Sequence, residues 1–309
     1  MKLKRRKSII LSLIIVALSG WIGYEVKPVL SADKTWIIDF GYDKNEIHKL
    51  SFNRRGVRSC PEIPVKIGNS DYDMGFDTGC GVGLFFTNVM EDKMDYQLME
   101  RIEDLNRDGT HRGWGKRIQI DHMTVYGREY KHINTSISDW NLYSSQKFNG
   151  TIGLAFFQSR IITLDYKGHK IAFGSRPIEY SKLNSAQYIV LPLYKSSGKN
   201  QENLPFFEAE YNGKPIMVYL DTGKNYSYVN NPKGIYSMAD KPTKLVDIPL
   251  KIGSMEIILS DVAEVNNLAQ ADGLPYPTGI ELNSDQIWKC NLLVTFDLIE
   301  HKIIFAKFQ

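Results

Sequence analysis

The tripeptide Asp-Thr-Gly occurs twice in this 309-residue chain, as Asp77-Thr78-Gly79 and Asp221-Thr222-Gly223. Each copy closes a strand-like run, Tyr72-Asp73-Met74-Gly75-Phe76 before the first and Pro215-Ile216-Met217-Val218-Tyr219-Leu220 before the second. At average residue usage one copy is expected in roughly one chain of this length in fifteen, so two copies in matched surroundings point to duplication. A second repeat supports this. Thr163-Leu164-Asp165 with His169-Lys170-Ile171-Ala172-Phe173 recurs as Thr295-Phe296-Asp297 with His301-Lys302-Ile303-Ile304-Phe305, always 132 residues later. The tripeptides themselves lie 144 apart (221 − 77), so the second unit is 12 residues shorter between its two motifs. A chain with this self-similarity is expected to fold as two related units.

Within each unit the patterning is mostly β. Short runs rich in Ile, Val, Tyr and Thr are bounded by Gly, Asn and Asp, as in Ile63-Pro64-Val65-Lys66-Ile67-Gly68-Asn69 and from Ile118-Gln119-Ile120 through Val125-Tyr126-Gly127. One stretch reads as helix: from Glu91 to Leu105, Met94, Leu98, Ile102 and Leu105 recur at three- and four-residue intervals, and Asn106-Arg107-Asp108-Gly109 ends the run. Between Ser175 and Ser185 the pattern lapses into a polar stretch with Pro177, read as a linker. The expected fold class is all-β and two-lobed, with few short helices. Unit one spans 36–175, the linker 176–185 and unit two 186–309.

Length and composition fit this plan. Hydrophobic residues make up 43% and aromatic residues 12% of the chain, enough for real cores. The formal charge of +3 misleads, because Lys2, Lys4, Arg5, Arg6 and Lys7 precede Ser8 and Glu25 is the only acid before residue 26. The remainder carries 33 basic residues (38 less five) against 34 acidic ones (35 less one), which argues against a nucleic-acid footprint. Residues 2–7 and the apolar run from Ser8 to Tyr24 read as a secretory signal or an uncleaved membrane anchor, assigned to residues 1–26. Residues 27–35 would follow as a stalk. Positive charge at the N-terminus keeps that end in the cytoplasm and sends the rest across. Cys60, Cys80 and Cys290 cannot all pair internally; a Cys60–Cys80 bridge and buried free thiols both stay open. No Cys/His spacing suggests a metal.

At a strand end, Asp-Thr-Gly can hold a carboxylate rigidly. Gly allows a tight turn that brings an N–H to the carboxylate, and Thr adds a hydroxyl that can bond a neighbouring chain. Two such turns related by a pseudo-twofold axis set two carboxylates face to face. They cannot both ionise comfortably and share one proton. The ionised member can take a proton from water while the protonated member donates to a carbonyl oxygen. This is general acid–base hydrolysis of a peptide bond with no cofactor and no metal. Asp77 and Asp221 are the candidate pair, supported by Thr78, Gly79, Thr222 and Gly223.

On these residues the chain resembles the aspartic proteases of the pepsin and retropepsin group, over both units and nearly everything after residue 36. The resemblance implies a monomeric, two-lobed pepsin-like fold that completes its dyad within one chain. It also implies a hydrophobic-hydrophobic-Gly segment beneath each active loop and a β-hairpin flap over the cleft. Gly150-Thr151-Ile152-Gly153-Leu154 supplies the segment in unit one, with Gly153 12 residues before Asp165. For the flap, Arg112-Gly113-Trp114-Gly115-Lys116 is the candidate, its glycines forming the turn and Trp114 the lid. Unit two is shorter there and is expected to lack an equivalent.

Two departures matter. The residue after the tripeptide, usually small or hydroxylic in that group, is Cys80 in one unit and Lys224 in the other. An ammonium beside the dyad favours ionised carboxylates, unless Lys224 points to solvent or reaches an acidic partner. Unit two also offers no clean hydrophobic-hydrophobic-Gly: Thr278-Gly279-Ile280-Glu281-Leu282 sits too far from Asp297, so a degraded or locally rebuilt second lobe is expected. Asp165 and Asp297 read as structural. The reading is an aspartic endopeptidase acting on polypeptides, membrane-anchored or secreted, in a bacterial cell envelope. The alternative is a non-catalytic, membrane-tethered peptide-binding pseudoprotease, since an extended cleft can bind peptide backbone without cutting it. Serine and zinc hydrolase motifs are absent from the sequence.

Overall fold

The structure, a computed structural model, describes residues 35–52, 60–105, 111–138, 149–198, 201–234 and 244–307. The basic and apolar N-terminal segment expected as signal or anchor lies outside them. Among the described residues no helix is long and apolar enough to cross a membrane.

The chain is built almost entirely of strands. In the first half these are β1 (Ile47–Lys49), β2 (Ser51–Phe52), β3 (Pro61–Ile67), β4 (Ser70–Phe76), β5 (Leu84–Thr87), β6 (Gln97–Leu105), β7 (His111–Val125), β8 (Arg128–Ser138), β9 (Gly150–Ile152), β10 (Ile161–Asp165) and β11 (Lys170–Gly174). In the second half they are β12 (Tyr188–Pro192), β13 (Phe206–Tyr211), β14 (Lys214–Leu220), β15 (Tyr228–Asn230), β16 (Leu245–Ile252), β17 (Met255–Val265), β18 (Thr278–Leu282), β19 (Leu292–Asp297) and β20 (Lys302–Lys307). The α-helices are short, α1 (Thr35–Asp39) and α2 (Ser284–Lys289). An all-β chain follows from the period-2 patterning, as in β16, where Ile248, Leu250 and Ile252 are buried and the residues between them exposed.

The duplication is visible in strand pairing. β13-β14-β18-β15-β17-β16 form a closed barrel. In the first half β3-β4-β9-β5-β8-β7 follow the same cyclic order, closed by β3 pairing with β7. The senses also match: β4–β9 and β14–β18 are parallel, as are β5–β8 and β15–β17. A third sheet, in the order β1-β11-β10-β19-β20-β12, takes three strands from each half. At its centre β10 and β19 run antiparallel with Thr163 opposite Thr295, their hydroxyls 2.7 Å apart. The 132-residue repeat is therefore the pair of strands meeting across this axis. Asp165 and Asp297, 1% and 0% exposed, accept turn N–H groups from Gly168 and from Ile299 and Glu300, so both are structural.

Two local expectations are corrected. The stretch from Glu91 to Leu105 is not a helix, because its last nine residues form β6, paired with β7 through two register shifts. Its three- and four-residue periodicity marks no buried face: Met94 is buried, but Leu98 is 50% exposed and Ile102 only half-buried. With β7 extending well past its partner strand β3, pairing satisfies this backbone where no packing partner favours a helix. The segment Arg112–Lys116 is likewise not a turn. It lies inside β7, paired with β6 and joined by β8 only from Gly115 onward, and the hairpin reverses between Leu105 and His111, where residues 106–110 lie outside the described ones. Gly115 serves close packing there: a Cβ would stand 2.9 Å from the Ile137 carbonyl oxygen.

Candidate active site

Each Asp-Thr-Gly turn leaves a central strand of its barrel, β4 or β14, and is tied to the strand running parallel to it. Asp77 N–H donates to the Ile152 carbonyl at 2.9 Å and Asp221 N–H to the Leu282 carbonyl at 2.8 Å. Within each turn the glycine N–H caps the aspartate, Gly79 to Asp77 Oδ1 at 2.8 Å and Gly223 to Asp221 Oδ1 at 3.0 Å.

The threonines join the turns. Thr78 Oγ1 donates to the Leu220 carbonyl at 2.7 Å and accepts from Thr222 N–H at 3.0 Å. Reciprocally, Thr222 Oγ1 donates to the Phe76 carbonyl at 2.6 Å and accepts from Thr78 N–H at 2.9 Å. Both threonines are fully buried. Each hydroxyl thus uses its donor and one acceptor site on the other turn, which is why Thr rather than an apolar residue fits both positions.

This exchange sets each carboxylate against the opposite glycine. A Cβ on Gly79 would lie 2.5 Å from Asp221 Oδ2, and one on Gly223 would lie 2.5 Å from Asp77 Cγ. Glycine is needed at both places because any side chain would occupy the space of a carboxylate. The Asp77 carboxyl is held well above its ordinary value of 3.8, first by burial, then by the charge of Asp221 and a hydrogen bond shared with it. Gly79 N–H and Lys224 oppose that rise without cancelling it. Two carboxyls in such contact hold one proton between them.

Lys224 resolves one expectation taken from the sequence. Its Nζ lies 3.5 Å from Glu281 Oε2, and Glu281 is 1% exposed. Burial would lower the ammonium, but Glu281 and Asp221 together hold it above its ordinary value, so it stays charged. It reaches an acidic partner while its side chain stays 36% exposed. Cys80 is buried, its thiol pushed up to about 12 by burial and by Asp77. Cys60 points its thiol at the Phe76 carbonyl at 3.3 Å and is raised by burial and by both aspartates. All three cysteines are free thiols.

The segment beneath the first loop is where the sequence placed it. Gly153 N–H donates to the Gly83 carbonyl at 2.7 Å, and a Cβ on Gly153 would stand 2.2 Å from the Cys80 carbonyl oxygen. The second unit's counterpart is rebuilt rather than lost, and it lies at Thr278–Leu282, the stretch the sequence reading set aside as too far from Asp297. β18 pairs with β14 and β15 as β9 pairs with β4 and β5, so Leu282 takes the place of Ile152. Asn283 then replaces Gly153, with its N–H on Ser227 Oγ at 2.9 Å and its Nδ2 on the Lys224 carbonyl at 3.3 Å. Ser284 Oγ donates to the Thr222 carbonyl at 3.0 Å. The match escaped the sequence because glycine is absent and α2 lengthens the path: Leu282 lies 15 residues before Asp297, Ile152 only 13 before Asp165. The alternation Ile280-x-Leu282 running into the helix cap Asn283 was the available signal.

Tyr219 was not singled out from the sequence. It is buried, stacks on Phe206 with ring centroids 5.1 Å apart, and its phenol is pushed well above its ordinary value by burial and by the charges of Asp221 and Asp77. Its place two residues before Asp221, on the same strand face, was the sequence signal. Trp114 stands on the β6–β7 hairpin, 66% exposed and edge-on to His111 at 5.7 Å. A cavity of about 400 Å³ opens elsewhere, lined by Leu154, Leu193, Lys195, Glu202, Leu298 and His301 among others, with no residue of either tripeptide. Among the described residues no cluster of three or more His, Cys, Asp or Glu could hold a metal ion. No protein-family model matches the chain, and no curated protein matches it.

Proposed function

We propose that this chain is an aspartic endopeptidase with a two-lobed, pepsin-like architecture, its lobes being residues 36–175 and 186–309. The observation that carries the reading is the reciprocal threonine exchange that brings Asp77 and Asp221 together. A water held between the carboxyls loses a proton to the ionised member as its oxygen attacks the peptide carbonyl carbon. The protonated member donates to the carbonyl oxygen, giving a tetrahedral diol. Both steps use groups already in place, so no cofactor enters.

The β6–β7 hairpin suits the role of flap. It extends the first barrel, and nothing between β15 and β16 among the described residues corresponds to it. Trp114 near its reversal is the proposed lid. The basic and apolar N-terminal segment supports membrane attachment or secretion, with the catalytic part outside the cytoplasm in a cell envelope, working as a monomer on polypeptides. The pseudoprotease alternative loses its main support, since Lys224 is paired with Glu281 and the second loop keeps its supporting strand.

The test is cleavage of a denatured protein mixture by the full chain in detergent, from about pH 3 to about pH 8. It is run with and without a statine-type transition-state inhibitor, beside Asp221→Asn. Inhibitor-sensitive cleavage lost in the variant is expected. Inhibitor binding with no cleavage at any pH would favour the pseudoprotease.

A further inference from the structure

Duplication gives the crevice at the turn after β10 a counterpart at the turn after β19. The 132-residue repeat that matches His169 with His301 also matches Tyr166 with Leu298. The N–H groups of Leu50 and Leu193 bond the carbonyls of those two histidines, each at 2.9 Å, so Phe52 and Lys195, two residues further on, hold matching places. Ser284 and Leu154 match as the second residues after Leu282 and Ile152. The first crevice is filled. Tyr166, 1% exposed, reaches across it to place its hydroxyl 2.8 Å from Ser284 Oγ, and the Phe52 ring packs on it with centroids 5.6 Å apart. At the second, the same places hold Leu298, Leu154 and Lys195, and the cavity of about 400 Å³ opens among them. That is the size of a small-molecule site.

The lining holds charges of both signs beside apolar side chains. Lys195 Nζ stands 3.4 Å from His301 Nε2, and Glu202 lines the same cavity. Among the described residues neither Lys195 nor His301 has a carboxylate partner, and Glu202 has no cation. The walls between them carry Leu154, Leu193 and Leu298. A matching ligand has an anionic group, a cationic group and a hydrocarbon body. We propose that this cavity binds a short apolar peptide with free termini, its carboxylate on Lys195 and His301, its ammonium on Glu202 and its side chains against the leucines. A charge-assisted hydrogen bond at each end fixes the orientation, and the apolar walls take the rest of the molecule. Only the source of such peptides, hydrolysis by this chain, rests on the protease reading above.

The experiment is calorimetric titration of the full chain in detergent with leucyl-leucine, N-acetyl-leucyl-leucine and leucyl-leucinamide. The acetyl group removes the ammonium, and the amide removes the carboxylate. Leucyl-leucine is expected to bind, and each analogue about tenfold more weakly, the worth of one charge-assisted hydrogen bond. Lys195→Met should weaken leucyl-leucine by about the same factor while leaving the amide unaffected, and Glu202→Gln should do so while leaving the acetylated peptide unaffected. Leu298→Tyr, which gives the crevice the ring found at its counterpart, should abolish binding. Lys195 and Glu202 are exposed, so their variants carry the test if Leu298→Tyr fails to fold. No binding of leucyl-leucine, analogues that bind as tightly as the parent, or full affinity in both charge variants overturns the proposal. Absence of cleavage by the wild-type chain would count against the protease reading alone, because binding is read without turnover.

Discussion

Replacing Thr222 by valine removes one hydroxyl and leaves the shape of the side chain. The bonds lost are Thr222 Oγ1 to the Phe76 carbonyl and Thr78 N–H to Thr222 Oγ1. Phe76 and Thr78 are both 0% exposed, so neither group can turn to water, and the Phe76 carbonyl keeps only the weak thiol donor of Cys60. A buried polar group left without a partner costs about 1–3 kcal/mol, which puts the loss for the two groups at about 4 kcal/mol. For a chain of this size that is a fall of about 8 °C in melting temperature. The partner substitution, Thr78→Val, strands the Leu220 carbonyl and Thr222 N–H and should cost about the same. Serine keeps the hydroxyl, so Thr222→Ser should recover most of the loss. The assay is thermal unfolding by circular dichroism of wild type and the three variants, with peptide cleavage measured alongside. Cleavage should fall further than stability in the valine variants, because the same bonds hold the carboxylates in register. Melting of Thr222→Val within about 2 °C of wild type would refute the view that this exchange joins the loops.

Three further outcomes are expected. The Asp77 carboxyl is raised in the folded chain, so the folded form binds more protons than the unfolded one. The associated stability is full below the ordinary value of 3.8 and is lost as pH rises through the folded value, so the melting temperature should fall over that range and the fall should shrink in Asp77→Asn, which should also lose cleavage by a factor of about 10³ or more. A melting curve against pH that is unchanged in the variant would contradict the shared proton. Gly153→Ala forces a methyl to 2.2 Å from the Cys80 carbonyl oxygen and should destabilise by about 1–3 kcal/mol, read by chemical denaturation; full stability would mean the strand can move away from the loop. Trp114→Ala, at a side chain 66% exposed, should leave stability within about 0.5 kcal/mol while raising KM for peptide substrates several-fold, and an unchanged KM would remove Trp114 from the flap.

Much of the site was legible because its information is local. Asp77 and Asp221 stand out through a three-residue motif, and the two-unit plan through repeats at fixed offsets. The strands of both barrels are written in a period of two. Where the pattern was weaker, the surroundings decided. The stretch 97–105 carries apolar residues at helical spacing, yet it pairs with β7 because no apolar surface waits for the face a helix would present. The second supporting segment hid behind an asparagine and a short helix, which tie it to its loop through side chains instead: Asn283 and Ser284 hold the Lys224 and Thr222 carbonyls.

By itself the sequence determined that this chain is mostly β, that it is doubled, and that two aspartates stand on matching turns. Only the tertiary structure decided how those turns engage. Which carbonyl each threonine takes depends on contacts between residues more than 140 positions apart, and that Lys224 faces Glu281 depends on β14 pairing with β18. Backbone propensity and periodicity act over a few residues and are encoded along the chain. Hydrogen-bond partners and the field at a carboxylate are set by what folding brings within a few ångströms, and spacing in sequence does not contain that distance.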